Sequence, residues 1–384
     1  MTTPLPHRVD DRPFDPQEGD RLSPELERYY MSSQWRMVWL KLRRHRVAVV
    51  SGVLLAALYL MTIFAEFLSP YAPNTRHVDH IYAPPQSVQF FNQGQFIGPF
   101  VLGYDQTLDM DTLKRVYVPN PAKVHRLRFL CEGDPYHFWG LVPASTHLVC
   151  PAEGGHFFWL GTDRLGRDML SRIVHGARIS LTIGVVGVAI SFLLGIVLGG
   201  LAGYYGGWID ASITRVIEVI RSFPKLPLFM ALSAALPIWL PPIWVYFGIT
   251  LIVGLIDWTG LARAVRAKLL ALREEDFCTA AVLMGASPRR IIGRHLLPSF
   301  MSHLIAVATL HIPEMILAET ALSFLGLGLR PPVTSWGVLL TEAQNINAVA
   351  LYPWLLLPIV PVIATVLAFN FLGDGLRDAA DPYK

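Results

Sequence analysis

The chain has 384 residues, of which 53% are hydrophobic and 16% charged, with a formal net charge of +3. That balance is more apolar than a water-soluble globular chain supports and excludes one. The small positive surplus is explained by basic residues beside membrane segments, so nucleic acid is not indicated as a partner. An all-α polytopic membrane protein embedded in a lipid bilayer is the expectation.

Residues 1–46 read as a polar N-terminal tail, with Pro4, Pro6, Pro13 and Pro16 in a stretch that need not fold. Ser23 as N-cap and Pro24 at the first helical position predict a helix that becomes amphipathic toward Trp35, Val38, Trp39 and Leu42, suited to the membrane surface. Arg36, Lys41, Arg43, Arg44 and Arg46 then precede the first apolar run and hold the N-terminus in the cytoplasm. That run, Val47 to Ala65, is uncharged and long enough to span, giving a first transmembrane segment at 47–69. It starts too late, and lacks a small-residue cleavage site, for a cleavable signal peptide.

Residues 70–176 lose the membrane composition and predict an external domain. They are rich in proline and aromatics, charged with both signs, and broken by GQG, GYD and EGDPY turns. The runs FNQGQFIGPFVLGY and KVHRLRFLCEG favour short strands. Cys131 and Cys150 lie here, either as two free buried thiols or as a disulfide worth on the order of 3 kcal/mol. Seven of the twelve histidines fall between His77 and His175. No HExxH or paired His/Cys spacing accompanies them, so they read as solvated loop residues and no metal site is expected.

GTDRLGRDMLSRIVHGARISL, residues 161–181, sets Arg164, Arg167, Arg172 and Arg178 among Asp163 and Asp168 directly before a membrane run. The charge density predicts an amphipathic interfacial helix with salt bridges along it. The string also resembles the segment before the second helix in permeases of the dipeptide, oligopeptide and nickel subfamily of ABC importers. From Ile179 to Ile209 there is no further charge. Gly195, Gly199, Gly203 and Gly207 form a small-xxx-small ladder there, suited to close helix packing in lipid more than to lining a path. Arg215, Glu218 and Arg221 can pair along the next helix, which Pro224 and Pro227 kink or interrupt. The fourth span, Ile243 to Ala262, carries Asp257, expected to pair with Arg263 one to two turns away.

The loop at 263–298 holds seven Lys and Arg between two membrane runs and is therefore expected in the cytoplasm. Phe277, Ala280, Ala281 and Met284 recur at helical spacing, with Glu274, Glu275 and Asp276 in the first turn. Gly285 stops that helix in a left-handed conformation, and Ser287-Pro288 starts a second carrying Ile291, Ile292, His295 and Leu296. Ala280, Ala281, Gly285 and Leu297-Pro298 match the coupling loop of ABC importer permeases, with one departure: Thr279 stands where the family has Glu. The resemblance implies a docking surface for an ATPase at Glu275, Asp276, Phe277, Ala280, Ala281, Gly285, Ala286 and Ser287. The plainer reading is a surface helix in which alanine serves as a helix former.

In the fifth span His303, His311, Glu314 and Glu319 must face protein or water. His311, Glu314 and Glu319 are candidates for a path lining, against satisfied hydrogen bonds between helices. ETALSFLGLGLRPPVTSWG and the terminal FNFLGDGLRDAADP again resemble the subfamily, and Leu351 to Gly373 is the sixth span. Across residues 160–382 the resemblance implies the type I permease fold in a domain at 177–374, followed by a cytoplasmic end at 375–384. It also implies a second, homologous permease, two ABC ATPase subunits or domains, and a periplasmic substrate-binding protein. Both termini are expected in the cytoplasm of a bacterial inner-membrane protein. No lysine follows a glycine anywhere, so a GxxxxGK[ST] phosphate loop is excluded. No cofactor is expected on this chain; ATP and Mg would bind the partner ATPase. Peptides are the expected cargo, with nickel or a sugar-derived, opine-like solute as alternatives. A secondary transporter and a membrane-anchored external enzyme are the rival classes.

Overall fold

The computed structural model describes residues 34–92, 94–110, 115–152, 154–237 and 239–380. The helix start expected at Ser23 lies outside them. Helix α1, Gln34–Arg44, ends in Lys41, Arg43 and Arg44, a favourable complement to its C-terminal dipole. Leu42 packs with Val38, Ala48, Leu376 and Ala379, so this helix is pinned to the end of the last one. Trp39 stays exposed.

Among the described residues, five helices are long and apolar enough to cross a membrane: α2 at Arg46–Ile63, then Met169–Tyr205, Pro242–Leu272, Met301–Phe324 and Pro353–Ala380. The third expected span is not one helix. It is α5 (Gly207–Ser222) and α6 (Lys225–Ala234), broken where Phe223 is extended ahead of Pro224, as the residue before a proline prefers. The others are α4 (Met169–Tyr205), α7 (Pro242–Leu272), α11 (Met301–Phe324) and α14 (Ile359–Ala380, entered through a 3-10 turn at Pro353–Leu356), with the short α3 (Ala65–Leu68) after α2 and the short α13 (Ile346–Leu351) before α14.

Helices α4 and α7 pack closely because three glycines leave room. A β-carbon on Gly195 would strike Leu261, one on Gly199 the carbonyl of Ala262, and one on Gly203 the backbone of Arg266. Without a hydrophobic drive between helices in lipid, such close approach supplies the attraction. Gly207 does not join this ladder; it opens α5 with nothing near it.

The external region folds as an antiparallel meander, β1 (Gln89–Asn92), β2 (Gln95–Leu108), β3 (Arg115–Phe138) and β4 (Val142–Pro151), in that order. Strands were expected here, but short ones; β2 has 14 residues and β3 has 24, with register shifts along both. Val101, Leu127 and Phe157 form its small core. Cys131 and Cys150 are joined as a disulfide between β3 and β4.

Of the seven histidines expected to be solvated, only His137 is exposed. His77, His80 and His156 stack with Tyr71 and Phe158, the His80 and His156 rings 4.5 Å apart. Burial, then the neighbouring imidazoles, push His80 down to about 4. His147 is buried, its two ring nitrogens 2.7 Å and 2.9 Å from the carbonyls of Ser69 and Asp134.

The string at 161–168 is likewise not an interfacial helix. It is a buried turn, with Gly161 and Gly166 at φ +77° and +70°, that ends in Asp168 as N-cap of α4. Asp163 is fully buried, accepts from Arg167 Nε at 2.7 Å and pairs with Arg172, so one carboxylate is shared between two guanidinium groups inside the fold.

Candidate functional site

Two constellations stand out, one at the basic loop and one midway along the helices. In the loop, α8 (Asp276–Leu283) ends at Met284, and Gly285 turns left-handed at φ +77°. The Gly285 amide donates to the Val282 carbonyl at 2.9 Å and that of Ala286 to Ala281 at 3.1 Å, the paired bonds of a Schellman stop. Ser287 then leads into α9 (Pro288–Arg290), although its side chain makes no capping bond. A π-helical turn at Ile291–Leu296 and the short α10 (Leu297–Ser299) deliver the chain to α11.

The expected stripe divides. Ala281, together with Cys278, is buried against Val265, Leu269, Ile291, Leu296 and Leu304, so it belongs to the fold's own core and not to a docking face. Ala286 is half-buried and packs on the same core. Glu275, Asp276, Phe277, Ala280, Gly285 and Ser287 remain exposed. Beside them stand Leu283, 83% exposed, and Met284, 81% exposed, which sequence reasoning left off the site. Their signal was present: two large apolar residues directly before a helix-stopping glycine. Large exposed apolar side chains rimmed by charge mark a contact surface. On its other side the loop is braced by the Arg266–Asp210 ion pair to α5 and by Arg273, which donates to the Tyr204 carbonyl at 3.4 Å.

The second constellation joins α6, α7 and α11. Asp257 lies midway along α7, and Glu314 near the middle of α11. Asp257 does not pair with Arg263. Lys225, at the start of α6, donates to it at 2.6 Å and approaches Glu314 at 3.6 Å. His311 Nδ1 is 3.5 Å from the same Glu314 carboxylate. Asp257, His311 and Glu314 place donor atoms within 4.8 Å of one another, close enough to hold a cation. The Lys225 ammonium already supplies positive charge at that point. Asp257 is buried, whereas Lys225 and Glu314 are 53% and 55% exposed, so the cluster opens on one side of the bundle. Ionisable groups at mid-helix cannot face lipid cheaply, which makes this side one that meets water or protein.

Glu319, expected on the same lining, is instead fully enclosed. Its carboxylate accepts from Ser180 at 3.1 Å, Ser323 at 2.8 Å and Ser335 at 2.7 Å, tying α4, α11 and the following α12 (Trp336–Leu340) together. It is a structural knot.

A bundle of membrane-length helices, with an exposed apolar helix in a basic loop and an ionised cluster open at mid-depth, defines a multi-pass membrane transport subunit. Comparison with known proteins makes this specific. Residues 195–383 match the family described as binding-protein-dependent transport system inner membrane component, and residues 33–85 match the N-terminal TM domain of oligopeptide transport permease C. The chain is 40% identical over 250 residues to the oligopeptide transport system permease protein OppC of Haemophilus influenzae, covering 64% of this chain and 74% of that protein. It is 41% identical over 237 residues to the dipeptide transport system permease protein DppC of Bacillus subtilis, covering 62% and 72%. With the glutathione transport system permease protein GsiD of Pectobacterium atrosepticum, identity is 32% over 348 residues, 91% of each chain. Among solved structures, an inward facing MetNI methionine ABC transporter is similar at 21% identity, covering 56% of this chain and 98% of that one, with a TM-score of 0.45. The chain belongs to the family of binding-protein-dependent transport system inner membrane components, as an ABC transporter permease subunit without ATPase activity of its own.

Proposed function

We propose that this chain forms one half of the path by which short peptides enter the bacterial cytoplasm, with a homologous permease supplying the other half. Two ABC ATPase subunits or domains would bind the ATP and Mg, and a periplasmic binding protein would deliver cargo. In this reading the permease is of type I, with six spans: α2, α4, the broken α5–α6 pair, α7, α11 and α14. Both termini are cytoplasmic, and the sheet domain at 70–176 is periplasmic. The seven basic residues of the 263–298 loop, against Arg330 alone in 320–350, support that orientation. His311 and Glu314, with Lys225 and Asp257, line the path.

The observation that carries the reading is the two-sidedness of α8. Its outer face offers Phe277, Ala280, Leu283 and Met284 to a partner. Its inner face, Cys278 and Ala281, is continuous with the core of α7 and α11. Motion of an attached ATPase would therefore be transmitted to the two helices that bear the ionised cluster. Copurification tests it. Ala280→Arg with Leu283→Asp, both at exposed positions, should leave the permease folded but free of its ATPase; undiminished recovery of the ATPase would refute the docking face. The donor trio of Asp257, His311 and Glu314 favours one second reading, a divalent cation such as nickel as cargo, which nickel uptake unaffected by competing peptide would support.

A further inference from the structure

We propose that the end of the bundle nearest the sheet domain carries a recessed anion site, built by Arg164, Arg167, Arg172 and Arg330, which takes the free carboxylate of a short peptide before it enters the path. This rests on the peptide reading above and extends it to a particular group on the cargo.

Three observations converge. Arg172 is 97% enclosed at its side chain, being only 3% exposed, and its Nε has no hydrogen-bond partner although Nη1 is held by Asp163. An enclosed donor left unsatisfied is costly, and an acceptor brought within its reach lowers that cost. Second, the four guanidinium groups line one cavity of about 150 Å³, where Glu342 is the only acidic wall residue among the described residues. Glu342 is held loosely, 3.5 Å from Arg164, 3.7 Å from Arg167 and 4.0 Å from Arg172, and Asp163 is spent on Arg167 and Arg172 behind them. Arg76 adds a further cation from an adjoining cavity of about 390 Å³. Among the described residues, no carboxylate lies within ion-pair distance of Arg76 or Arg330. The surplus is therefore positive, and a guanidinium fork matches a carboxylate through two parallel bonds.

Third, Arg330 also borders a larger cavity of about 290 Å³, whose wall includes Leu236, Leu240, Val245 and Val333. A solute with an apolar body and a terminal carboxylate suits this pair of chambers, its charge among the arginines and its side chains beside the leucines. Arg167 and Arg172 are recessed, at 6% and 3% side-chain exposure, so the innermost donors admit a small solute and exclude a broad protein surface.

The test is calorimetric titration of the intact importer in lipid nanodiscs, without its binding protein, using tri-leucine and tri-leucine C-terminal amide. The acid should bind about ten-fold or more tightly than the amide, the scale of a charge-assisted hydrogen bond. Arg330→Gln, at an exposed position, should close that gap with an unchanged melting temperature, and Arg330→Lys should restore part of it. Equal binding of acid and amide overturns the proposal. So does wild-type acid binding by Arg330→Gln, or an effect of Arg330→Gln confined to docking of the binding protein. ATP-driven peptide uptake is scored separately: uptake with acid and amide bound alike sinks only this inference, whereas no uptake of any peptide sinks the reading beneath it.

Discussion

Gly285 and Lys225 are the residues on which the two constellations turn. At φ +77° a β-carbon on Gly285 would crowd the following carbonyl, and nothing around it offers compensation. Gly285→Ala should therefore lower the stability of the loop by about 1–2 kcal/mol, visible as faster hydrogen exchange across residues 276–291. Lys225 is the partner of a buried mid-helix carboxylate. Lys225→Met should lower the melting temperature by leaving Asp257 uncompensated, and adding Asp257→Asn should restore most of the loss, a coupling that a double-mutant cycle reads directly. An unchanged melting temperature in the single variant would mean the pair does not form. Neither residue was equally legible in the sequence. Gly285 was, because a glycine after a periodic run and before Ser-Pro is a local signal. The Lys225–Asp257 pair was not, because the two lie far apart in sequence and nearby Arg263 was the obvious alternative.

The glycine face of α4 makes the next scale testable. Gly199→Leu would drive a side chain into the backbone of Ala262 and should abolish a folded, monodisperse protein in detergent, whereas Val197→Leu, at an exposed position two residues away on the opposite face, should be tolerated. Similar melting temperatures for the two would contradict the packing. The sheet domain answers to pH instead. His80 and its neighbours His77 and His156 are all pushed below the ordinary imidazole range, chiefly by burial. The unfolded chain then binds protons before the folded one does. Stability is full above about pH 6.5, the ordinary histidine value, and falls as pH drops toward 4. Proteolysis of residues 70–160 should accelerate over that window while the helices stay protected; a pH-independent rate would contradict the buried cluster. At this scale the sequence was a partial guide. Strand-forming runs were recognisable, but the 161–168 turn was misread as a helix from its density of charge, which a glycine turn closing on a buried Asp163 accommodates as well as an amphipathic helix does.

For the molecule as a whole, long apolar runs announced the spans, because hydrocarbon thickness imposes their length. The break at Phe223–Pro224 was visible as a pair of prolines. What composition could not decide was which side each polar group faces. Glu319 and Glu314 look alike in sequence, yet one is tied down by three serines and the other stands open beside Lys225. That difference comes from the packing of α4 and α12, not from the fifth span itself. On the proposed function the chain is a gate without an engine, moved through one exposed face of α8. Its most direct test is uphill uptake of a labelled peptide into vesicles, oriented so that the binding protein meets the receiving face and ATP the opposite one. Accumulation should require both ATP and the partner ATPase, and should vanish with Ala280→Arg and Leu283→Asp. Uphill accumulation by vesicles holding the permease without any ATPase would contradict it.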